Sequence, residues 1–202
     1  MTLIIFTRYP RVGRVKTRLI PHLGPEGAYD LHTELTEHTL KQLGTFPKLQ
    51  IWFTGEAEAA MQDWLGRGYC YRRQAAGTLG EKMDQALQQV LAEGNDKAVL
   101  IGTDCPGITL SHIEMAFQKL ESHDVVLGPA ADGGYYLIGL RSAHPELFRN
   151  IPWGTDRVCA LTAQQAAVAG LSVSYLETLA DIDRPGDLAI WDEIKKASEQ
   201  RS

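Results

Sequence analysis

Short apolar runs alternate with longer amphipathic segments along the chain, and this alternation constrains the fold more than any other feature. The apolar runs predict β-strands at residues 3–7, 49–54, 98–102, 124–127, 135–140 and 171–176. Several runs are apolar at consecutive positions, as expected of strands covered on both faces. The amphipathic segments predict helices at residues 25–43, 56–65, 78–93, 111–120, 155–169 and 184–197. The pattern predicts an α/β fold with three layers (α/β/α) and a mostly parallel, Rossmann-like sheet.

Length and composition limit the classes of protein that fit this pattern. The 202 residues, 44% of them hydrophobic, suffice for one well-filled domain spanning residues 1–202. A net charge of −5 gives no indication of a nucleic-acid partner. No apolar run approaches the roughly 20 residues of a membrane helix, and the apolar start at residues 3–6 is too short for a signal peptide, which predicts a cytoplasmic protein. The three cysteines form no C-x-x-C pair, which argues against a disulfide framework and against structural zinc.

The residues that directly follow strands are the candidates for chemistry, because ligands of such sheets bind outside the carboxyl ends of the strands. After the first strand, residues 8–18 hold five of the 20 basic residues of the chain. Arginine guanidinium groups, which can bind two oxygens at once, and a lysine ammonium group suit the binding of phosphate groups. The alternative is a basic loop that is merely solvated. The loop matches neither G-x-x-x-x-G-K-[ST] nor G-x-G-x-x-G. We predict that its nucleotide-binding residues are Arg8, Arg11, Arg14, Lys16, Thr17 and Arg18.

An acid follows the strand at residues 98–102, in the sequence Thr103-Asp104-Cys105-Pro106. A carboxylate at this edge is well placed to hold Mg²⁺ or Mn²⁺, which prefer oxygen ligands and often keep substrate phosphates in their shell. The alternative is that Asp104 caps the turn that follows.

The segment G-P-A-A-D-G-G-Y-Y-L-I-G-L places Asp132 between two apolar strands. Gly133 and Gly134 let the backbone approach a ligand closely or adopt positive φ. A tight turn is the alternative, because Asp-Gly is a standard turn signal. We predict a ligand-facing loop, with Gly133, Gly134 and Tyr135 on the acceptor side.

Two further acids, Asp181 and Asp183, lie near the C-terminus. Asp183 can cap the last helix, with Pro185 in its first turn, whereas Asp181 is not needed for that role. Either acid could complete a metal or substrate site at the same edge of the sheet. At the start of another predicted helix, Ser111 and Glu114 are expected to form a capping box.

Weaker signals come from two other segments and from the histidines. Gly77, Leu79 and Gly80 open a predicted helix, where glycines and free N–H groups could contact a base, a ribose or a phosphate. Trp153 could form an aromatic wall for an acceptor, or equally a lid over the core. The six histidines form no metal-binding spacing and are interpreted as helix-surface or loop residues.

In this order the motifs resemble a small bacterial family of glycosyltransferase-like proteins, of the DUF2064 type, within the nucleotide-diphospho-sugar transferase superfamily. The resemblance covers nearly the whole chain and rests on F-T-R-Y-P-R-V-G-R-V-K-T-R-L, T-L-G-E-K-M, L-I-G-T-D-C-P, G-P-A-A-D-G-G-Y-Y-L-I-G-L, I-P-W-G-T-D and L-A-D-I-D-R-P-G-D-L. The family is similar both to A-type glycosyltransferases and to 2-phospholactate guanylyltransferase.

This resemblance implies roles for particular residues. It implies that residues 8–18 bind the nucleotide phosphates, that Asp104 holds the metal together with a late acid, Asp181 or Asp183, and that Asp132 lies on the acceptor or metal side. The chain departs from the D-x-D motif of glycosyltransferases, because T-D-C supplies one carboxylate. It also lacks the L-x-G-G-x-S-x-R-M-G motif of many nucleotidyltransferases. Its K-T-R-L segment is more similar to the corresponding segment of 2-phospholactate guanylyltransferase.

Three functions fit these features. A glycosyltransferase would move a sugar from a nucleotide-diphosphate donor to a small acceptor, with a divalent metal and with Asp132 as general base. A nucleotidyltransferase would transfer a nucleoside monophosphate from a triphosphate, held by Lys16 and Arg18, to a small phosphorylated metabolite. The third is a non-catalytic nucleotide-binding protein. The partners implied are a nucleotide or nucleotide sugar and a small acceptor, with no nucleic acid and no membrane span.

Overall fold

The computed structural model describes residues 1–199, so the last three residues of the predicted domain, 200–202, lie outside it. The strands are β1 (Thr2–Arg8), β2 (Leu49–Thr54), β3 (Cys70–Arg73), β4 (Ala98–Ile101), β5 (Val125–Pro129), β6 (Tyr135–Leu140) and β7 (Val173–Tyr175). The helices are α1 (Ile20–Leu43), α2 (Glu58–Leu65), α3 (Leu79–Ala92), α4 (Leu110–Lys119), α5 (Val158–Val168) and α6 (Leu188–Glu199). Two short 3₁₀ turns lie at Pro145–Phe148 and Pro185–Asp187.

The seven described strands form one sheet in the order β3-β2-β1-β4-β6-β5-β7. Strand β6 runs antiparallel to both β4 and β5, and the other neighbouring pairs are parallel. Leu3 of β1 is in register with Leu49 on one side and with Val99 on the other. The predicted α/β class and mostly parallel sheet are therefore confirmed.

Buried residues of β1, β2 and β4 alternate along each strand between two apolar cores. Leu3 and Ile5 pack in a cluster with α1, α2 and α4, whereas Ile4 and Phe6 pack in a second cluster with α3 and α5. Helices thus cover both faces of the sheet, which explains the uninterrupted apolar runs in the sequence. Within the described residues, no helix is both long enough and apolar enough to cross a membrane.

Several local predictions are wrong. The edge strand β3 was not predicted, because Tyr71 is its only large apolar residue. Helix α1 begins earlier than predicted, at Ile20, and bends at Gly24, whose φ is 74°. Helix α4 begins at Leu110 and is capped around Thr109, whose N–H donates to His112 Nδ1 at 3.1 Å, so Ser111 and Glu114 form no capping box.

Asp183 does not cap the last helix either. Asp187 accepts hydrogen bonds from the backbone N–H groups of Asp183 (3.0 Å) and Arg184 (2.7 Å). The Asp183 carboxylate pairs instead with Arg18. The Asp183 side chain, which was expected to cap a helix, therefore lies at the edge of the sheet that carries the candidate site.

Candidate active site

A cleft of about 730 Å³ opens at the carboxyl edge of the parallel strands. Much of its lining comes from the loop after β1, the residues after β4, the β5–β6 connection and the segment after β7. Four stretches that are far apart in the sequence therefore meet at the edge of the sheet where the fold class places ligands.

Most of the residues predicted to bind nucleotide in the basic loop line this cleft. The basic residues Arg8, Arg14, Lys16 and Arg18 contribute to its wall, as does Thr17. Arg11 is not part of the lining and pairs with Glu56 at the surface. The loop makes its tight turn with positive φ at Gly13 (75°) and at Lys16 (45°). A left-handed lysine is uncommon, and such backbone persists only where neighbouring contacts hold it in place.

Those contacts surround the Lys16 ammonium group, whose side chain is only 4% exposed. Nζ lies 2.7 Å from Asp104 Oδ1 and donates to the carbonyl oxygen of Ile182 at 2.5 Å. The Asp104 carboxylate is itself about half exposed on the cleft. Lys16 thus joins the basic loop, the end of β4 and the C-terminal segment at one point.

The C-terminal segment is held in the cleft by backbone hydrogen bonds as well. Ile182 N–H donates to the Asp104 carbonyl (2.9 Å), and Ala131 N–H donates to the Leu179 carbonyl (2.9 Å). The Ile182 side chain is fully buried in a third apolar cluster with α1 and α6. This segment therefore carries Asp181 and Asp183 to the cleft on a fixed backbone.

Two carboxylates, Asp132 and Asp181, lie where the cleft joins a second cavity of about 480 Å³, and both line both spaces. Burial, followed by the negative charge of Asp132, raises the pKa of Asp181 above its ordinary value. Asp183 also lines both spaces but is paired with Arg18. Within residues 1–199, Asp181 forms no ion pair, so it is the late acid with an uncompensated charge.

Replacing Asp181 by Asn is expected to raise the thermal unfolding temperature at pH 7. Because the pKa is higher in the folded protein than the ordinary 3.8, the folded state gives up this proton less readily than the unfolded chain. Ionised Asp181 therefore costs stability above its raised pKa, and that cost disappears as the pH falls to about 3.8. Unfolding temperatures of both proteins between pH 7 and pH 4 should converge as the pH is lowered. A constant difference across this range would contradict the assignment.

The Asp-Gly-Gly turn is fixed mainly by packing. Gly134 N–H donates to Asp132 Oδ1 at 2.8 Å, which orients the carboxylate. Gly133 has a φ of 88°, and a Cβ there would lie 2.0 Å from the Asp156 carbonyl oxygen. Gly133 is not part of the cleft lining, whereas Gly134 and Tyr135 are. Glycine at position 133 is therefore required by the neighbouring backbone.

Trp153 also lines the cleft, and its ring meets that of Tyr135 edge-on at 6.3 Å. Gly80 lies behind this ring, because a Cβ there would come within 2.6 Å of it. Leu79 faces the cleft, whereas Gly77 and Gly80 are not part of its lining. Of the three residues predicted at this helix start, Leu79 alone reaches the cleft.

Sequence reasoning missed His32, which was interpreted as a surface residue and is in fact buried on the cleft side of α1. Its Nε2 donates to the carbonyl oxygen of Arg8 at 2.9 Å, and burial lowers its pKa. The residue thus stays neutral and holds the end of β1, where the basic loop begins. The spacing of Leu31, His32, Leu35 and Thr36 on one helix face was the signal for burial.

The donor set fits a divalent cation only in part. Within the described residues, no group of three or more histidine, cysteine, aspartate or glutamate side chains is arranged to hold a metal ion. Asp104 and Asp181 both line the cleft and offer oxygen ligands of the type that Mg²⁺ prefers. Two carboxylates suffice where water and substrate phosphates complete the shell, as is usual for Mg²⁺. The predicted metal site stays a prediction.

The sheet order, the basic loop after β1 and the acid after β4 define an α/β protein with the fold of nucleotide-diphospho-sugar transferases. Residues 39–155 match the family described as "Uncharacterized protein conserved in bacteria (DUF2064)", and the chain belongs to this family. The family and fold predicted from the sequence motifs are therefore confirmed.

Solved structures agree with this assignment. A "putative nucleotide-diphospho-sugar transferase" from Desulfovibrio desulfuricans is 34% identical, with a TM-score of 0.86 over 91% of this chain and 84% of that one. A nucleotidyl transferase from Methanothermobacter is 18% identical, with a TM-score of 0.65 over 97% and 98% of the two chains. CMP:2-keto-3-deoxy-manno-octonic acid synthetase, in complex with CTP, is 12% identical, with a TM-score of 0.60 over 100% and 99%. The last two similarities concern the fold alone. No curated protein matches the sequence.

Proposed function

We propose that this protein is a glycosyltransferase that uses a nucleotide-diphosphate sugar as donor and a divalent cation, Mg²⁺ or Mn²⁺. One observation supports this most directly: a cationic wall and an uncompensated pair of carboxylates lie side by side in a single cleft. The 34% identical protein bears the name of a nucleotide-diphospho-sugar transferase.

The cationic wall suits the diphosphate of the donor. Arg8 and Arg14 bring guanidinium groups that can bind phosphate oxygens in pairs, Arg18 adds a third that is shared with Asp183, and Lys16 adds a buried positive charge. Positive charge at this position also stabilises the leaving diphosphate as the bond to the sugar breaks. Asp104 and Asp181 would hold the cation, which supplies further charge stabilisation at the phosphate oxygens.

The carboxylate pair suits an uncharged acceptor. Asp132, oriented by Gly134 N–H, would take the proton from the acceptor hydroxyl as it attacks the sugar. The second cavity, which adjoins both carboxylates, would hold the rest of the acceptor. It is lined by five aspartates and two arginines, one of which is already paired with Asp183. Such a cavity disfavours an anionic acceptor.

Nucleotidyl transfer is the second candidate, and the basic loop favours it. Lys16 and Arg18 would hold a triphosphate, and a phosphorylated acceptor would need no general base because it is already ionised. That acceptor would have to bind beside Asp132 and Asp181, whose negative charges repel it unless a cation intervenes. For this reason we place glycosyl transfer first.

Thermal unfolding with a panel of nucleotide sugars and of nucleoside tri-, di- and monophosphates tests the proposal. A ligand at 100 times its dissociation constant adds about 2.7 kcal/mol, or roughly 5–10 °C for a chain of this size. We expect this shift with one nucleotide sugar and its diphosphate, larger with Mn²⁺ or Mg²⁺, and hardly any with the monophosphate. A shift confined to triphosphates would favour nucleotidyl transfer. No shift with any nucleotide would refute both.

A further inference from the structure

The ion pair between Arg18 and Asp183 lies where the cleft joins the second cavity. Both residues line both spaces, as do Asp132 and Asp181. The pKa of Arg18 is raised above its ordinary value by the hydrogen bond and the charge of Asp183, with smaller contributions from Asp132 and Asp181. One guanidinium group therefore lies within electrostatic reach of the three acids at this junction.

The two partners of the pair differ in their freedom to move. The Asp183 N–H group donates to Asp187 Oδ2 at 3.0 Å, and the side chain of the preceding residue, Ile182, is fully buried. The Ile182 N–H group also donates to the Asp104 carbonyl oxygen at 2.9 Å. The side chain of Asp183 is 26% exposed, whereas that of Arg18 is 57% exposed. Arg18 is therefore the partner that can leave the pair.

The Asp183 carboxylate has no structural task that explains the pair. Asp187, not Asp183, accepts the hydrogen bonds from the backbone at the start of the last helix. Within residues 1–199, Arg18 is the partner of the Asp183 carboxylate in both the hydrogen bonds and the ion pairs, and no second partner occurs. The carboxylate is thus held at the junction for one contact, with a cation of the cleft.

The proposed diphosphate would compete for the same guanidinium group. Its oxygens bind a guanidinium group in pairs, as a carboxylate does, and a diphosphate carries more negative charge than one carboxylate. A partly exposed ion pair contributes little stability, so moving Arg18 from Asp183 to the diphosphate costs little free energy. The return of Arg18 to Asp183 is easy for the same reason.

Other cations of the cleft differ from Arg18 in this respect. Arg8 and Arg14 form no ion pair among the described residues, so no acid competes with a ligand for them. Lys16 is paired with Asp104, but its side chain is almost fully buried and is also bonded to a backbone carbonyl oxygen. Arg18 is therefore the exposed cation of the cleft that an acid of the protein can withdraw from a ligand.

We infer that Asp183 is an intramolecular competitor of the diphosphate for Arg18 and that it promotes release of the diphosphate product. When Asp183 takes back the guanidinium group, the bound product loses a charge-assisted contact before it leaves. Product release limits the turnover of many enzymes, so weaker retention favours turnover. The inference rests on the proposed function, and it applies to a nucleoside diphosphate after glycosyl transfer and to pyrophosphate after nucleotidyl transfer.

Calorimetric titration with pyrophosphate, at constant Mg²⁺, tests this role. The variant Asp183→Asn keeps the size of the side chain and should bind pyrophosphate about three- to fivefold more tightly, because no ion pair has to be broken. Affinity differences among variants of one site lie mostly in the dissociation rate, so ³¹P line broadening should show slower release. Asp156→Asn is the matched control: Asp156 lines the second cavity, forms no ion pair among the described residues, and should change the affinity less than twofold.

A double-mutant cycle separates competition for Arg18 from a general effect of charge. Arg18→Met should weaken pyrophosphate binding, and on that background Asp183→Asn should change the affinity no more than Asp156→Asn does. Should one of the variants fail to fold, a crystal structure of the unaltered protein with pyrophosphate decides. In it, Arg18 should contact a phosphate oxygen and lie more than about 4 Å from the Asp183 carboxylate.

Four results would overturn the inference. These are unchanged or weaker binding in Asp183→Asn, an equal gain on the Arg18→Met background, an intact pair in the pyrophosphate complex, and no binding of pyrophosphate to the unaltered protein. The proposed transferase function survives each of them if a nucleotide sugar or a triphosphate still raises the unfolding temperature. If no nucleotide does so, that function is refuted as well.

Discussion

Replacing Asp132 by Asn is expected to lower the turnover number by roughly 10²–10⁴-fold, the usual range for loss of a general base. The variant keeps the size of the side chain and the acceptor that Gly134 N–H contacts at 2.8 Å, so the turn should persist. It removes the negative charge that would take the acceptor proton. Product formation at saturating donor measures the loss, and the dissociation constant of the nucleoside diphosphate should stay within a few-fold of the original.

Asp96→Asn is the matched control for this prediction. Asp96 is exposed and lies just before β4, at the amino edge of the sheet, so the same change of charge occurs far from the cleft. Equal activity of Asp132→Asn and the original protein would refute the role of Asp132. It would also favour nucleotidyl transfer, because an ionised phosphate nucleophile needs no base and would gain from the loss of a nearby negative charge.

The layers of the fold could be predicted because each central strand places its residues in two cores. Strand β1 is buried at six consecutive positions, which produces an apolar run that a sequence window detects. Strand β3 escaped prediction because it is an edge strand whose residues are mostly outside the core. The antiparallel direction of β6 was not predicted either, because a strand that is buried on both faces has the same apolar pattern in either direction.

Candidate site residues could be chosen from the sequence because the carboxyl edge of a parallel sheet is fixed by topology. The sequence could not tell which polar side chains near that edge serve the fold. Arg11 and Lys16 have similar surroundings in the sequence, yet one pairs with Glu56 at the surface and the other is buried against Asp104.

In the C-terminal segment, the sequence identified two candidate site acids but could not tell which of them serves the site. Asp181 and Asp183 are two residues apart, and either one suits a helix cap or a site. Tertiary contacts separate them: Arg18 binds Asp183, and Asp187 takes over the capping. Asp181 is left beside Asp132 with a raised pKa, which makes it the better candidate for a cation ligand.

Replacing Lys16 by Met is expected to have the second large effect, on both stability and donor binding. The ammonium group bonds to the Asp104 carboxylate and to the Ile182 carbonyl, so its loss releases the basic loop from the C-terminal segment. Hydrogen bonds to charged groups contribute about 1.5–3 kcal/mol each. Asp104 is half exposed and stays hydrated, and Met fills the same space, so we expect a net loss near 1.5 kcal/mol. This corresponds to an unfolding temperature lower by roughly 3–6 °C.

The free energy of donor binding should decrease by more than the free energy of unfolding, because Lys16 would also supply positive charge to the diphosphate. A double-mutant cycle with Asp104→Asn separates the two roles, since residues in contact show non-additive effects. If Lys16 acts on stability through Asp104, the double variant should be about as stable as Lys16→Met alone. If Lys16 binds the diphosphate directly, the affinity for pyrophosphate should drop at least tenfold in Lys16→Met and stay low in the double variant. Unchanged pyrophosphate binding in Lys16→Met would mean that Lys16 positions the loop and the carboxylate, and that the arginines alone hold the phosphates.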